Sequence, residues 1–262
     1  MDYIESVMLG IIQGLTEFLP ISSSGHLEIS KVILGNTLSN KESLLFTIVL
    51  HCATAFSTIF FFRKELMEII NGLFSSKYND SHSFSVQIII SMIPAVFIGL
   101  FFEKNINSLF DGNLILVGSM LFITALLLFL SDFLKMKNNK IGFKNSFLIG
   151  MAQAVAILPG ISRSGATIAS AVILGIDREK AARFSFIMVI PLILGSMAKS
   201  LIENDINFQN IDLISLFLGF FSAFFTGLLA CKWMISLVKK SKLYYFSIYC
   251  IILGSVCIIY ST

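Results

Sequence analysis

Six stretches of this chain are apolar for long enough to cross a bilayer: about 45–62, 86–102, 114–130, 184–202, 211–231 and 243–260. A spanning helix needs roughly 17–25 mostly apolar residues. In hydrocarbon the backbone must satisfy its own hydrogen bonds, so each such stretch is committed to helix. The whole chain carries 13% charged residues and 56% hydrophobic ones, where a soluble domain carries about 25% charged. The expectation is an all-α polytopic membrane protein, with residues 1–262 forming a single integral membrane domain. The net charge of +3 is scattered over short loops, which speaks against nucleic acid as a partner. No basic segment precedes the first apolar stretch, which opens with Asp2 and Glu5, so no cleavable signal peptide is expected. Cys52, Cys231, Cys250 and Cys257 all lie in apolar stretches without metal-ligand spacing and read as small hydrophobes.

Two further apolar regions, 4–34 and 146–176, do not fit a simple span. Each is interrupted by Pro, Gly and Ser, in "LPISSSG" and "LPGISRSG". The halves are too short to cross but suit a helix pair that enters the bilayer, turns and leaves on the same side. Irregular backbone at that depth is tolerated where it is buried in protein or lines a cavity. Both regions are therefore predicted to be re-entrant hairpins.

The basic residues test this. Arg63, Lys64 and Lys77 follow the first span; Lys135, Lys137, Lys140 and Lys144 follow the third. Arg178, Lys180 and Arg183 precede the fourth, and Lys232, Lys239, Lys240 and Lys242 follow the fifth. The remaining loops hold only Lys41, Lys104 and Lys199. The positive-inside rule places the rich loops in the cytoplasm. Both termini then lie outside, and the alternation holds only if each broken region returns to its own side. The first hairpin is expected to enter from outside and the second from inside.

The two broken regions are copies. At a fixed offset of 140, residues 6–35 and 146–175 share twelve identities: Ser6, Gly10, Gln13, Ile21, Ser22, Ser24, Gly25, Ser30, Val32, Ile33, Leu34 and Gly35. Apolar helices share Ile, Val and Leu cheaply, but not S-x-S-G in register. Repeat one covers about 1–138 and repeat two about 141–262. Each holds a hairpin and three spans, and an odd number of crossings inverts the second. Such inverted-topology repeats place a site at the midplane, where broken helices meet.

A helix that starts in mid-membrane presents free N–H groups and a positive dipole end, which together suit an anion such as phosphate. Ser22, Ser24, Gly25 and their copies Ser162, Ser164 and Gly165 would frame it. Arg163 adds a planar fork that matches phosphate oxygens, and an arginine at bilayer depth reads as functional. The first loop carries what its copy lacks: Glu17 opposite Ile157, Ser23 opposite Arg163 and His26 opposite Ala166. Gln13 and Glu17 share one helical face. Serine, histidine and glutamate can supply a nucleophile, a proton shuttle and a carboxylate. His51, inside a span, reads as a paired structural histidine, with a pocket-lining role as the alternative. Glu28 and Lys31 are spaced to pair with each other.

At these residues the sequence resembles the undecaprenyl-diphosphate phosphatase family of the bacitracin-resistance type. The family's first motif reads here "QGLTEFLPISSSGHL", Gln13 to Leu27, and its second "PGISRSGAT", Pro159 to Thr167. No motif residue is replaced, and the resemblance covers essentially the whole chain. It implies a hydrolase of the bacterial cytoplasmic (inner) membrane, converting undecaprenyl diphosphate to the monophosphate and phosphate on the outer face. That activity recycles the carrier for peptidoglycan and confers bacitracin resistance. The resemblance carries Gln13, Glu17, Ser23 and His26, and Ser162, Arg163, Ser164 and Thr167, into the site. It also implies a divalent cation, magnesium or calcium, for which Glu17 with Gln13 is the candidate holder. The expected partners are the polyprenyl diphosphate and membrane lipids; a homodimer is one option. In the expected mechanism Ser23 attacks the terminal phosphorus or fixes a water, His26 shuttles the proton, and Glu17 holds metal or acts as acid/base partner; the alternative exchanges Ser23 and His26, with a phosphohistidine intermediate. A lipid-phosphate flippase or anion transporter is the alternative reading, because inverted repeats are transporter architecture.

Overall fold

The computed structural model describes residues 2–34, 40–102, 105–106, 108–109, 112–133, 139–203, 212–240 and 243–261. Gly35, Lys104, Lys135, Lys137 and Lys242, used above in the repeat and the charge pattern, lie outside the described residues. Eleven helices are described: α1 (Tyr3–Phe18), α2 (Ser23–Ile33), α3 (Asn40–Phe61), α4 (Arg63–Leu73), α5 (Asp80–Phe101), α6 (Leu114–Phe133), α7 (Phe143–Val155), α8 (Arg163–Ile173), α9 (Arg178–Glu203), α10 (Leu213–Lys240) and α11 (Tyr244–Ser261). Extended pairing among the described residues is limited to one bridge, Asn139 with Ile176. Six helices are long and apolar enough to cross a membrane, within α3, α5, α6, α9, α10 and α11. These are the six stretches expected from hydropathy.

Their ends run further than hydropathy suggests, because polar caps extend them. Asn79 accepts the His82 amide and starts α5 at Asp80, before the apolar run. Asp177 accepts the amides of Glu179 and Lys180 and starts α9 at Arg178. Helix α4 lies in what reads as a basic loop. Its Met67, Ile70 and Leu73 recur every third residue and remain exposed, as befits a surface amphipathic helix. Glu65 on α4 pairs with Arg183 on α9 at 2.7 Å.

The two broken regions each form a helix pair, α1–α2 and α7–α8, interrupted at Leu19–Ser22 and Ala156–Ser162. Helices α2 and α8 have 11 residues each, about 16 Å at 1.5 Å per residue, against a hydrocarbon core of about 30 Å.

The pairs exchange their packing partners. Helix α1 packs along α10, and α7 packs along α5. Glycines set both contacts. A Cβ on Gly10 would stand 2.5 Å from the Gly219 carbonyl oxygen of α10. On its copy, Gly150, a Cβ would stand 2.3 Å from the Ser91 carbonyl oxygen of α5. Such close approach is how membrane helices gain packing without a hydrophobic drive. The central core gathers Phe18, Phe62, Phe184, Phe186, Val117, Leu121 and Leu128 between the pairs and the spans, with Phe18 edge-on to Phe186 at 5.4 Å.

Candidate active site

Both interrupted pairs restart their second helix in the same way. Ser22 Oγ accepts the Gly25 amide at 3.2 Å, and Ser162 Oγ accepts the Gly165 amide at 3.0 Å. Each cap serine lies 3.3 Å from the serine two residues on, Ser24 or Ser164. A cap of this kind satisfies one of the first free amides of a helix. The amides of Ser23 and Ser24, and of Arg163 and Ser164, find no acceptor among the described residues. They are the donors left over at the two helix starts.

The tips touch. Ser164 Oγ donates to the Leu19 carbonyl at 3.1 Å, and a Cβ on Gly25 would meet Gly160 Cα at 3.3 Å. Ser162 N donates to Thr124 Oγ1 on α6 at 2.9 Å, which fixes the second tip from the side.

Glu17, at the end of α1, is the hub between the tips and is 6% exposed. One carboxylate oxygen accepts from the Arg163 guanidinium at the start of α8. The other accepts from Ser23 Oγ at 2.7 Å and from Gln13 Nε2 at 3.1 Å. A carboxylate only accepts, so the amide nitrogen of Gln13 must face it. That same nitrogen donates to His51 Nδ1 at 3.0 Å, and His51 stands 3.7 Å from Glu17. A neutral His51 therefore carries its proton on Nε2. Gln13 Oε1 is buried without a hydrogen-bond partner.

His26 belongs to a second, adjoining group. Its Nδ1 donates to the Ser22 carbonyl at 2.7 Å, and Tyr249 Oη on α11 lies 2.7 Å from its Nε2. Ser22 has φ +70°, where Ser162 has φ −72°. Ser22 is the only non-glycine residue with positive φ among the described residues. A serine held there costs about 1–3 kcal/mol and persists where the surroundings over-determine it.

The structure thus brings Gln13, Glu17, Ser23 and Arg163 into one hydrogen-bonded cluster. Ser23 is bonded to Glu17, and His26 to Tyr249; no bond joins Ser23 to His26. Ser22, Ser24, Gly25, Ser162, Ser164 and Gly165 form the two helix caps around the cluster. Thr167 lies behind it: its hydroxyl pairs with Ser185 on α9 at 2.6 Å and sits beside the Arg163 carbonyl at 2.8 Å. Glu28 pairs with Lys31 at 3.0 Å, as its spacing suggests, and also accepts the Gly112 amide at 3.2 Å. His51 joins the cluster rather than a separate structural pair; a histidine amid a span was its sequence signal. Tyr249 gave none.

Among the described residues no three His, Cys, Asp or Glu side chains gather into a metal cage. What the cluster does offer is the Glu17 carboxylate beside the unpartnered Gln13 oxygen, both hard oxygen donors. Two oxygens of this kind would suit a hard cation such as magnesium or calcium as part of its ligand set.

The sequence profile of the bacitracin resistance protein BacA family matches residues 6–256. An undecaprenyl-diphosphatase of Christiangramia forsetii is 56% identical, covering 100% of this chain and 99% of the relative. One of Bacteroides fragilis is 47% identical over 100% and 99%. One of Methanobrevibacter smithii is 37% identical over 97% and 96%. With the profile matching residues 6–256 and relatives aligned over the whole chain, the chain belongs to the bacitracin resistance protein BacA family.

Proposed function

We propose that the protein is an undecaprenyl-diphosphatase, hydrolysing undecaprenyl diphosphate to undecaprenyl phosphate and inorganic phosphate. The relatives' shared name supports the activity. The observation that carries the chemistry is the Glu17 hub, where an arginine from one tip and a serine from the other meet on one buried carboxylate.

An arriving diphosphate offers Arg163 new oxygens, and the uncapped amides of α2 and α8 supply further donors. As Arg163 turns to phosphate, Glu17 becomes free to take the Ser23 proton. Ser23 Oγ then bonds to the terminal phosphorus while the anhydride P–O bond breaks, and undecaprenyl phosphate leaves with the proton that Glu17 took. Water, its proton taken by Glu17 and passed on to the departing Ser23 Oγ, next cleaves the phosphoserine and frees phosphate. Arg163 and the amides face the oxygens on which charge is greatest in phosphoryl transfer. Gln13 keeps Glu17 and His51 in register. His26, at the edge of the cluster, serves proton traffic between the site and its surroundings. A divalent cation held by Glu17 and Gln13 Oε1 would neutralise diphosphate charge.

In the same reading α1–α2 enters from the outer face and α7–α8 from the cytoplasm, as an inverted repeat in the cytoplasmic membrane with both termini outside. The exchange of partners, α1 with α10 and α7 with α5, supports this, as does the charge alternation. The site then opens outward, where the spent carrier of envelope synthesis appears, and bacitracin resistance follows from its removal.

The test is phosphate release from undecaprenyl diphosphate by the purified protein in detergent, with magnesium or with chelator. Release that Glu17→Gln abolishes is expected. Wild-type protein that binds the lipid but releases no phosphate under either condition would favour the flippase reading.

A further inference from the structure

We propose that Tyr249, from the last helix, is the positioning residue for His26. The inference rests on the reading that His26 serves the reaction, and it concerns how that imidazole is held.

The two ring nitrogens of His26 have unlike partners. The Ser22 carbonyl, 2.7 Å from Nδ1, can only accept. Nδ1 therefore carries the proton, and in the neutral ring Nε2 keeps the lone pair. The Tyr249 hydroxyl, 2.7 Å from Nε2, donates to that lone pair. The rings also stack, 5.7 Å between centroids and 5° from parallel. Hydrogen bonds at both nitrogens leave the imidazole no freedom to flip.

A tyrosine suits this place for a further reason. A phenol donates to a neutral imidazole and accepts from an imidazolium, so it can keep its partner through a change of protonation. A carboxylate would serve only the charged ring. The device is absent from the second repeat, where Ala166 stands at the position of His26 and the Ser162 carbonyl meets only the Ala166 amide. Beside the histidine stands the unusual Ser22 backbone, with φ +70°. Tyr249 itself is 41% exposed and is not needed to fill the core.

Two measurements on the purified full-length protein test this. The first is a double-mutant cycle in steady-state phosphate release. Tyr249→Phe keeps the stacking ring and loses the hydroxyl; kcat is expected to fall about tenfold, as for other partners that orient a working histidine, with KM little changed. In a His26→Ala background the same change is expected to add nothing. The second is nitrogen NMR of histidine-labelled protein, with the His26 signals assigned by their loss in His26→Ala. Wild type is expected to show a single Nδ1–H tautomer, and Tyr249→Phe a mixture or a displaced Nε2 signal. Tyr249→Phe with wild-type kcat, or with an equal loss in both backgrounds, overturns the proposal. Should His26→Ala itself keep full turnover, the role of His26 falls instead, and the spectrum decides: an Nε2 signal unmoved by Tyr249→Phe overturns the positioning.

Discussion

The two hairpins share a frame and differ in their chemistry. Both cap their second helix through a serine two residues ahead of another serine, and both bury a glutamine one turn before the break, Gln13 and Gln153. In the first hairpin that glutamine reaches Glu17 and His51. In the second, Ile157 stands where Glu17 would be, and both amide atoms of Gln153 are buried without a partner. The same residue on the same frame is connected in one copy and stranded in the other. On the proposed function, the carboxylate, the serine and the histidines make the first turn the reactive one, and the arginine makes the second its clamp.

The most severe way to break this division is at Arg163. Arg163→Ala leaves the Glu17 charge buried without its cation, which costs about 3–5 kcal/mol. It should abolish phosphate release and lower the melting temperature. Arg163→Lys keeps the charge but loses the fork, and a drop of about a hundredfold in kcat/KM is expected. Wild-type turnover in the lysine variant would argue that the clamp needs charge alone.

Ser23→Ala comes next. It removes the group proposed to attack phosphorus while leaving Glu17 paired to Arg163. A loss of about 10³-fold in kcat is expected, and rapid-quench experiments should find no phosphoserine. Turnover near wild type would show that Glu17 activates water directly.

The glutamines sharpen the comparison. Gln13→Leu should lower kcat/KM about tenfold to a hundredfold, since it releases both Glu17 and His51. Gln153→Leu should leave turnover intact and stabilise the protein by about 1–3 kcal/mol, because a buried amide without partners is replaced by an apolar side chain. Thermal unfolding in detergent reads the second outcome. Equal loss of activity in both variants would mean that the second copy holds a working site of its own.

Much of this asymmetry was legible in the sequence, because the copies lie at a fixed offset and their differences can be read position by position. The six spans were legible too, since hydrocarbon leaves long apolar runs one solution. What escaped were contacts between distant elements. Tyr249 reaches His26 across 223 residues, and nothing in a lipid-facing helix distinguishes a tyrosine that anchors at an interface from one that holds an imidazole. His51 was visible as an odd residue in a span, but its tie to Gln13 depends on how α3 lies against α1. Helix α4 was hidden by its charges, which read as a loop until the spacing of Met67, Ile70 and Leu73 is noticed.

Thr167→Val is the mildest test. Leu27 holds the matching place in the first repeat, so the Thr167–Ser185 bond is another feature of one copy only. Its loss should cost about 1 kcal/mol of stability and change turnover about twofold at most. A larger kinetic effect would move Thr167 from behind the site into it.

The glycine seams have a consequence for motion. Because α1 is fitted along α10 at Gly10, and α7 along α5 at Gly150, each repeat holds the other's hairpin as two clasped hands hold each other's fingers. A carrier that works by rocking one half against the other would have to shear both seams at every cycle, with backbone already at contact distance. The clasp favours a stationary site visited by a moving lipid.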